Sequence, residues 1–331
     1  WGNATGVPGG SDEYKYLDQG NADGRTTGDN GTTYRGLSYF GRVTYDYQGK
    51  YLLSATMRAD GSSKYQEKWG YFPSVGAAWN ISEEDFMKDF KQLNYLKLRA
   101  SWGKLGNDGG DDVSEYEYQS VYGITDYSFG GKQVSGLAMT GLANAALGWE
   151  RSTTTDIGID VGALKNRLSL EVDYYYKKTT DMLMEVGFPS YFGYNAPQNN
   201  AADMNTKGWD LELSWSDQIN DFRYGVSFNL SDYRSKMGYM ANRQKIDDNK
   251  ITEEGSYFNE WYGYKSMGII LNDAAMLDEN GNTIPVLTNN DKAGNIRYQD
   301  IDGDGKITAS ADRVRLGNSL PEMQYGGSLW A

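Results

Sequence analysis

The sequence predicts an all-β chain that forms part of an antiparallel transmembrane β-barrel, with about nine strands in its 331 residues. Three observations support this fold class. Apolar and polar residues alternate along many segments, short and long connections alternate between those segments, and aromatic residues gather at both ends of them. Outer-membrane barrels combine these properties, with short periplasmic turns and long extracellular loops.

The alternation is clearest in YFGRVTYDYQGKYLLSATMRAD, residues 39–60. One parity of this segment carries no charge, whereas the other carries arginine and aspartate, and a half-buried strand has this period of two. A soluble antiparallel sheet also alternates, so the period alone leaves the surroundings of the uncharged face open. The same pattern recurs at 75–81, 96–102, 157–161, 168–176, 209–215 and 222–230.

The connections favour a membrane barrel over a sandwich, because only a barrel has a reason to place every long loop at one end of a meander. Residues 82–94 are expected to form a compact helical link that begins with Ser82 as its cap and acidic residues in the first turn. The tight turns lie at 47–50, 163–166 and 217–221, and the long connections at 61–73, 104–154, 179–207 and 232–320.

Aromatic residues mark two levels along the strands, as they do at the two interfaces of a membrane. We therefore expect the uncharged face to meet lipid and the charged face to meet a wet lumen. The short-turn level holds Tyr45, Tyr47, Tyr51, Trp79, Trp215 and Tyr224. The long-loop level holds Tyr39, Trp102, Tyr174, Tyr176 and Trp209.

The composition excludes several classes of function. Cysteine and histidine are both absent, which removes thiol catalysis, zinc–thiolate sites, disulfides and histidine-based triads. A net charge of −13 argues against a nucleic-acid partner, which requires basic patches. We expect no enzymatic activity, because a catalytic site would have to rest on carboxylates alone.

Several segments resemble the SusC/RagA-type TonB-dependent transporters of Gram-negative outer membranes. They cover well over half of the chain in the order typical of that family. RADGSSKY followed by WGYFPSV, within 58–75, is the most specific of them. The matching segments are 37–65, 68–87, 93–108, 150–183, 205–215 and 296–327.

The resemblance implies a large plugged barrel in the bacterial outer membrane. It also implies a nutrient importer that takes up oligosaccharides or peptides with a SusD-like surface lipoprotein, energised by TonB through the plug. The plug, the TonB-contacting segment and the last barrel strands have no counterpart here, so residues 1–331 are expected to be an internal barrel fragment. Two alternatives remain: a secreted or surface β-domain that binds glycans without transport, and a passive porin.

The long extracellular connection at 232–320 is the region expected to carry function, because such loops usually do. Its segment DIDGDGKI, residues 300–307, has the spacing of a calcium loop, which gathers short carboxylates around a glycine turn. Ala311 stands where that loop has its bidentate glutamate, and an acidic glycine turn without metal is the alternative. The candidate calcium ligands are Asp300, Asp302, Asp304, Lys306 and Asp312.

The same connection contains a cluster of aromatic residues that predicts substrate or partner binding. Aromatic rings stack on sugars or fill protein interfaces, although packing of the loop onto its neighbours is an alternative. The cluster comprises Tyr257, Phe258, Trp261, Tyr262 and Tyr264. On the lumen side, charged residues such as Arg99, Asp160 and Asp173 are expected to pair across strands or contact the plug or water, and none is assigned as a ligand.

Overall fold

The computed structural model describes residues 31–90, 92–185, 197–288 and 291–331. Its main element is a nine-stranded sheet with antiparallel neighbours throughout. The strands of this sheet are β1 (Gly36–Tyr47), β2 (Tyr51–Ser62), β3 (Trp69–Asn80), β4 (Leu93–Asn107), β7 (Glu150–Ala163), β8 (Leu168–Glu185), β9 (Gln198–Ile219), β10 (Phe222–Met237) and β17 (Gln324–Trp330).

The strand order is β1-β2-β3-β4-β7-β8-β9-β10-β17, so every strand pairs with the next one of this sheet along the chain. This is an up-and-down meander with insertions after β4 and after β10. Tight turns join one set of strand ends, as predicted. At the first of them three residues, 48–50, connect the paired Tyr47 and Tyr51. Gln48 and Gly49 both have positive φ, 55° and 67°, a conformation that follows the twist of the sheet.

The uncharged parity forms one continuous face. Register pairs Val43 with Ala55, Ala55 with Val75 and Val75 with Trp102, so outward residues of four strands lie side by side. Large apolar side chains on this face are open, and Val43 is 72% exposed. A contiguous apolar surface of this size marks a membrane or protein contact, and in this barrel it is the lipid-facing surface.

Two predicted connections differ from the structure. The loop expected at 179–207 is mostly strand, because β8 runs to Glu185 and β9 begins at Gln198; residues 186–196 lie outside the described part. A transmembrane strand needs about 9–11 residues, whereas β8 has 18 and β9 has 22. The ends of both strands therefore project past the membrane, where alternation is no longer required and the sequence signal fades.

The prediction of a helical link at 82–94 that begins with Ser82 as its cap is also wrong in detail. The link forms 3₁₀ turns at Ile81–Glu83 and Asp85–Met87, and Ser82 lies inside the first turn instead of capping it. The cause is the side chain of Glu84, which turns to the sheet and accepts hydrogen bonds from Tyr51 Oη (2.6 Å) and Trp79 Nε1 (3.1 Å). None of the helical segments in the described part of the chain is long and apolar enough to cross a bilayer.

The insertions form smaller sheets at the extracellular end. After β4 comes the hairpin of β5 (Tyr122–Phe129) and β6 (Lys132–Met139). After β10 come a four-stranded sheet and a two-stranded one. The four-stranded sheet contains β11 (Lys245–Asp247), β12 (Lys250–Thr252), β13 (Glu260–Tyr264) and β16 (Arg313–Gly317), and the two-stranded sheet contains β14 (Ser266–Ile269) and β15 (Ile296–Tyr298).

Two buried clusters hold these insertions on the strand ends. The first contains Tyr65, Phe72, Val113, Leu147 and Trp149, and so joins the β2–β3 turn to the insertion after β4. Its rings pack closely, with the Tyr65 and Trp149 centroids 5.7 Å apart. The second contains Ala202, Met237 and Met240, with Phe258 packed against them. The extracellular loops of this barrel therefore have hydrophobic cores of their own.

Candidate functional site

The predicted loop region at 232–320 is an ordered insertion docked on the end of β10. The backbone nitrogen of Met237 donates to the carbonyl of Ser256 (2.9 Å), and Gly255 donates back to Met237 (3.1 Å). A bridge between Lys236 and Tyr257 extends this attachment. The insertion is thus hydrogen-bonded to a barrel strand and is positioned over the extracellular end of the barrel.

Strand β13 carries three of the five predicted aromatic residues, and each of the three has a different contact. Trp261 is 40% exposed and lies over Lys250, whose Nζ is 5.2 Å from the ring centroid. Tyr262 contacts Arg313, whose guanidinium carbon is 4.5 Å from its ring. Arg313 also donates to the carbonyls of Tyr262 (2.8 Å) and Asp248 (2.5 Å), so cation and ring are held by the backbone of the small sheet.

The remaining aromatic residues have separate surroundings. Tyr264 packs against Tyr298 with centroids 5.4 Å apart, Tyr257 lies under Lys236 at 4.9 Å, and Phe258 packs on the second buried cluster. The five rings therefore do not form one continuous platform. Among the five, Trp261 has an exposed ring, whereas Tyr262 is half-buried beneath Arg313. The role of the set in binding stays a prediction.

The structure brings three of the predicted metal ligands together. Asp300, Asp302 and Asp304 each place one carboxylate oxygen within 4.8 Å of the others. Backbone nitrogens hold these carboxylates in place: Gly303 and Gly305 donate to Asp300 at 2.7 and 2.8 Å. Both glycines have positive φ, 75° and 83°, and this conformation bends the chain so that the three side chains converge.

Asp312, the predicted ligand from the end of the loop, has a different position. Its side chain is fully buried, and its two carboxylate oxygens accept hydrogen bonds from the backbone nitrogens of Ile301 (2.7 Å) and Thr308 (2.6 Å). Asp312 therefore closes the acidic turn from beneath. Lys306 is exposed, and its backbone nitrogen donates to Asp304 at 2.8 Å.

The pKa values of Asp312 and Asp302 in this turn shift in opposite directions. The backbone hydrogen bonds from Thr308 and Ile301 lower the pKa of Asp312. A backbone hydrogen bond from Asp304 lowers the pKa of Asp302, but desolvation and repulsion by neighbouring carboxylates outweigh it and the net shift is upward. A cation at the three converging carboxylates would relieve this repulsion, and calcium prefers such oxygen ligands. The metal site stays a prediction.

The β5–β6 hairpin is a candidate surface that the sequence pattern did not single out. Its turn residues Gly130 and Gly131 have positive φ, and its strands pair in full register. Large apolar side chains are exposed along both strands, a surface typical of protein contact. A run of aromatic and β-branched residues between 122 and 139 was the signal that could have shown it. The exposed members are Tyr122, Ile124, Tyr127, Phe129, Val134 and Leu137.

The lumen face carries the expected cross-strand ion pairs. Arg99 on β4 contacts Asp160 on β7 at 2.7 Å and Asp173 on β8 at 3.0 Å. One guanidinium therefore joins three adjacent strands, which is a structural role for these charges.

A cleft at the extracellular end was not found from the sequence. It has a volume of about 770 Å³ and lies between β4, β7, the ends of β8 and β9, and the segment before β11. Its lining carries both signs of charge, including Glu150, Glu185 and Arg243. Because these residues are far apart in sequence, only the fold brings them together.

At the opposite end, Glu84 fastens the 3₁₀ turns to the sheet. Besides Tyr51 and Trp79 it contacts Lys50 at 3.0 Å. The hydrogen bonds from Tyr51, Lys50 and Trp79 lower the pKa of Glu84. Tyr51 and Trp79 belong to the predicted short-turn aromatic level, so this level is tied to a carboxylate of the periplasmic link.

Comparison with known proteins agrees with this architecture. The family model described as "TonB dependent receptor-like, beta-barrel" matches residues 1–318. The chain is 32% identical to TonB-dependent receptor P39 of Formosa agariphila over 335 residues, which covers 92% of this chain and 32% of that protein. It is also 32% identical to TonB-dependent receptor SusC of Bacteroides thetaiotaomicron over 275 residues, 75% of this chain and 26% of that protein.

Among solved structures, the RagAB peptide transporter superposes with a TM-score of 0.74 at 25% identity. The superposition covers 96% of this chain and 34% of the RagAB chain. The chain therefore spans about a third of the length of the relatives that it matches.

Proposed function

The chain belongs to the TonB-dependent receptor-like β-barrel family, and from this premise we propose that it serves in the import of nutrients across the outer membrane. Its relatives of the SusC and RagA type place it among outer-membrane barrels. The observation that carries the proposal is the meander itself: every long insertion lies at one end of a sheet whose uncharged face is open to lipid. Such a barrel presents folded loops to the outside and tight turns to the periplasm.

The cargo in this proposal is an oligosaccharide or a peptide. The support is the likeness to SusC and to RagAB, the second of which is described as a peptide transporter. The cleft near Glu150 and Arg243 has the volume of a small-ligand site and offers both donors and acceptors. Import itself would draw energy from TonB through a plug domain.

A SusD-like lipoprotein is the proposed partner at the extracellular end. Two surfaces suit it: the exposed ring of Trp261 with the half-buried Tyr262 beside it on β13, and the apolar β5–β6 hairpin. Both are exposed at the end where a lid would close, and aromatic residues are enriched in protein interfaces. The insertion that carries β13 is docked on β10, so contact there would be transmitted to the barrel.

Import is tested in cells that carry the full-length receptor and its lipoprotein, with TonB present or deleted. Labelled oligosaccharides and labelled peptides are supplied separately, and periplasmic accumulation is measured. We expect accumulation of one class only, and only with TonB. Binding at the cell surface without TonB-dependent accumulation would instead support a glycan-binding β-domain, and accumulation without TonB would support a porin.

Partner contact is tested by co-purification of the lipoprotein with the receptor. The double substitution Trp261→Ala and Tyr262→Ala should reduce the recovered lipoprotein, and so should removal of residues 122–139. The substitution Phe86→Ala is the control, because Phe86 is an exposed ring at the opposite end, in the periplasmic link. Recovery unchanged in both extracellular variants would contradict the proposed contact.

A further inference from the structure

Three neighbouring strands share a gradient of side chains on the outward face. Moving toward the extracellular end, each strand passes from aliphatic residues to aromatic or polar ones and then to cations. In order toward the extracellular end, the outward residues are Val172, Tyr174, Tyr176 and Lys178 on β8; Leu211, Trp209, Lys207 and Asn205 on β9; and Leu230, Asp232, Arg234 and Lys236 on β10.

Register brings the cations of these strands side by side. Lys207 is paired with Tyr176 on one side and with Arg234 on the other, and Asn205 is paired with Lys178 and Lys236. Like charges directly opposite each other on a sheet are destabilising, so Lys207 beside Arg234 is unfavourable unless nearby anions offset both charges. In a chain of net charge −13, this arrangement points to an anionic ligand.

Aromatic contacts hold the cations around a cleft. The Nζ of Lys207 lies 5.8 Å from the ring centroid of Tyr176, whose hydroxyl donates to Asn205 Oδ1 at 2.7 Å. Lys236 lies over the ring of Tyr257. The cleft between these cations has a volume of about 750 Å³ and is lined by outward residues of β8, β9 and β10.

Neighbouring carboxylates pair with one of these cations, Arg234. Arg234 contacts Asp232 at 3.4 Å and Glu322 at 3.6 Å. Within the described residues, Lys178, Lys207 and Lys236 take part in no ion pair, and all three are exposed. The cleft therefore has a positive excess and free ammonium donors.

The depth of the cleft identifies the source of the anion. Strand residues rise about 3.3 Å each, so on a strand tilted by about 40° the cations lie roughly 5–10 Å beyond the paired rings Tyr174 and Trp209 along the membrane normal. Aromatic residues mark the edge of the hydrocarbon core, and the headgroup layer outside it is about 5–7 Å thick. The inner cations, Lys207 and Arg234, thus lie at the level of the outer-leaflet headgroups, while the aliphatic rows below them meet acyl chains.

We propose that Lys207, Arg234 and Lys236 form a site for the phosphate group of an outer-leaflet lipid. The phosphate lies between Lys207 and Arg234 and accepts hydrogen bonds from both, and Tyr174 and Trp209 contact the start of the acyl chains. Arg234 and Lys236 belong to the strand that carries the large extracellular insertion, so a bound lipid would brace the strand beneath it.

The test uses the full-length receptor in nanodiscs of phosphatidylcholine, with monophosphoryl lipid A as the probe and native mass spectrometry as the readout. The triple substitution Lys207→Gln, Arg234→Gln and Lys236→Gln should reduce affinity for the probe by about tenfold or more, because charge-assisted hydrogen bonds are lost. Lys207→Gln alone should have a smaller effect in the same direction. Its matched control is Lys177→Gln, a lysine of β8 on the lumen face, which should leave affinity unchanged.

Three further arms decide the outcome. The doubly substituted variant Lys207→Arg and Lys236→Arg keeps the charge and should keep affinity, which separates charge from folding. A dephosphorylated probe should bind the unsubstituted receptor as weakly as the triple variant binds the phosphorylated one. Equal affinity of both receptors for the probe, displacement by inorganic phosphate, or a change in oligomeric state with lipid affinity retained would overturn the proposal.

Discussion

Asp312 and Ile301 are joined by a 2.7 Å hydrogen bond, in which the backbone nitrogen of Ile301 donates to a carboxylate of a residue eleven positions later. The same carboxylate accepts from Thr308 at 2.6 Å. Because Asp312 is followed directly by β16, which pairs with β13, this contact connects the acidic turn to the strand that carries Trp261 and Tyr262. The turn and the aromatic strand therefore form one folded unit.

Acid should loosen this unit. The folded-state pKa of Asp312 is lowered by its backbone hydrogen bonds, so the stabilisation is present above the ordinary aspartate range and is lost as the pH falls through the lowered pKa. We expect Asp312→Asn to increase proteolysis at 298–312 at neutral pH. In the unsubstituted protein the same cleavage should rise only on acidification. Equal cleavage of both proteins at neutral pH would show that the carboxylate does not hold the turn.

Calcium should protect the acidic turn from proteolysis in the intact receptor. The carboxylates of Asp300, Asp302 and Asp304 converge, and binding of a cation would offset their repulsion. Asp302→Ala should abolish the protection, whereas Asp278→Ala, in another acidic turn of the insertion, should leave it intact. If EDTA does not change the cleavage rate at 298–312, the metal prediction is wrong.

Arginine on the outward face should destabilise the barrel. Leu98 is outward and 39% exposed, and an arginine near the bilayer midplane costs about 2–4 kcal/mol. Leu98→Arg should lower the free energy of unfolding of the full-length protein in lipid by that amount. Ser101→Arg on the other parity of the same strand is the control. Equal losses from the two substitutions would contradict the assignment of the faces.

Truncation of Trp149 should release the insertion after β4. The ring packs on Tyr65 and Phe72 within the first buried cluster, and removing a large buried aromatic costs about 3–5 kcal/mol. Trp149→Ala should therefore accelerate amide hydrogen exchange at 110–147 while the strands of the barrel stay protected. Exchange confined to the substituted residue and its neighbours would show that the cluster does not hold this insertion.

The hydroxyl of Tyr65 offers a matched comparison in the same cluster. It is buried and has no hydrogen-bond partner among the described residues. Because a buried hydroxyl without a partner is unfavourable, Tyr65→Phe should leave hydrogen exchange unchanged or slow it slightly. Faster exchange in this variant would mean that the hydroxyl has a partner, such as a bound water.

The sequence by itself determined the strands of the barrel, their order and their faces. The physical reason is that a transmembrane strand has a period of two set by its backbone, with lipid on one side and water on the other. The apolar residue type at Val43, Leu98 or Ile157 therefore indicates that the position faces lipid, without knowledge of distant residues. The acidic turn at 300–305 could also be predicted from the sequence, because its glycines and carboxylates are neighbours along the chain.

The tertiary structure alone decided how the extracellular end is arranged. Beyond the membrane the two environments are no longer different, so alternation ends while hydrogen bonding between β8 and β9 continues to Glu185 and Gln198. The burial of Asp312, the packing of Tyr65 on Trp149 and the meeting of Lys207 with Arg234 each join residues that are far apart in sequence. Such contacts depend on strand register and on the path of the loops, which are set by the whole sheet and not by any one segment of the sequence.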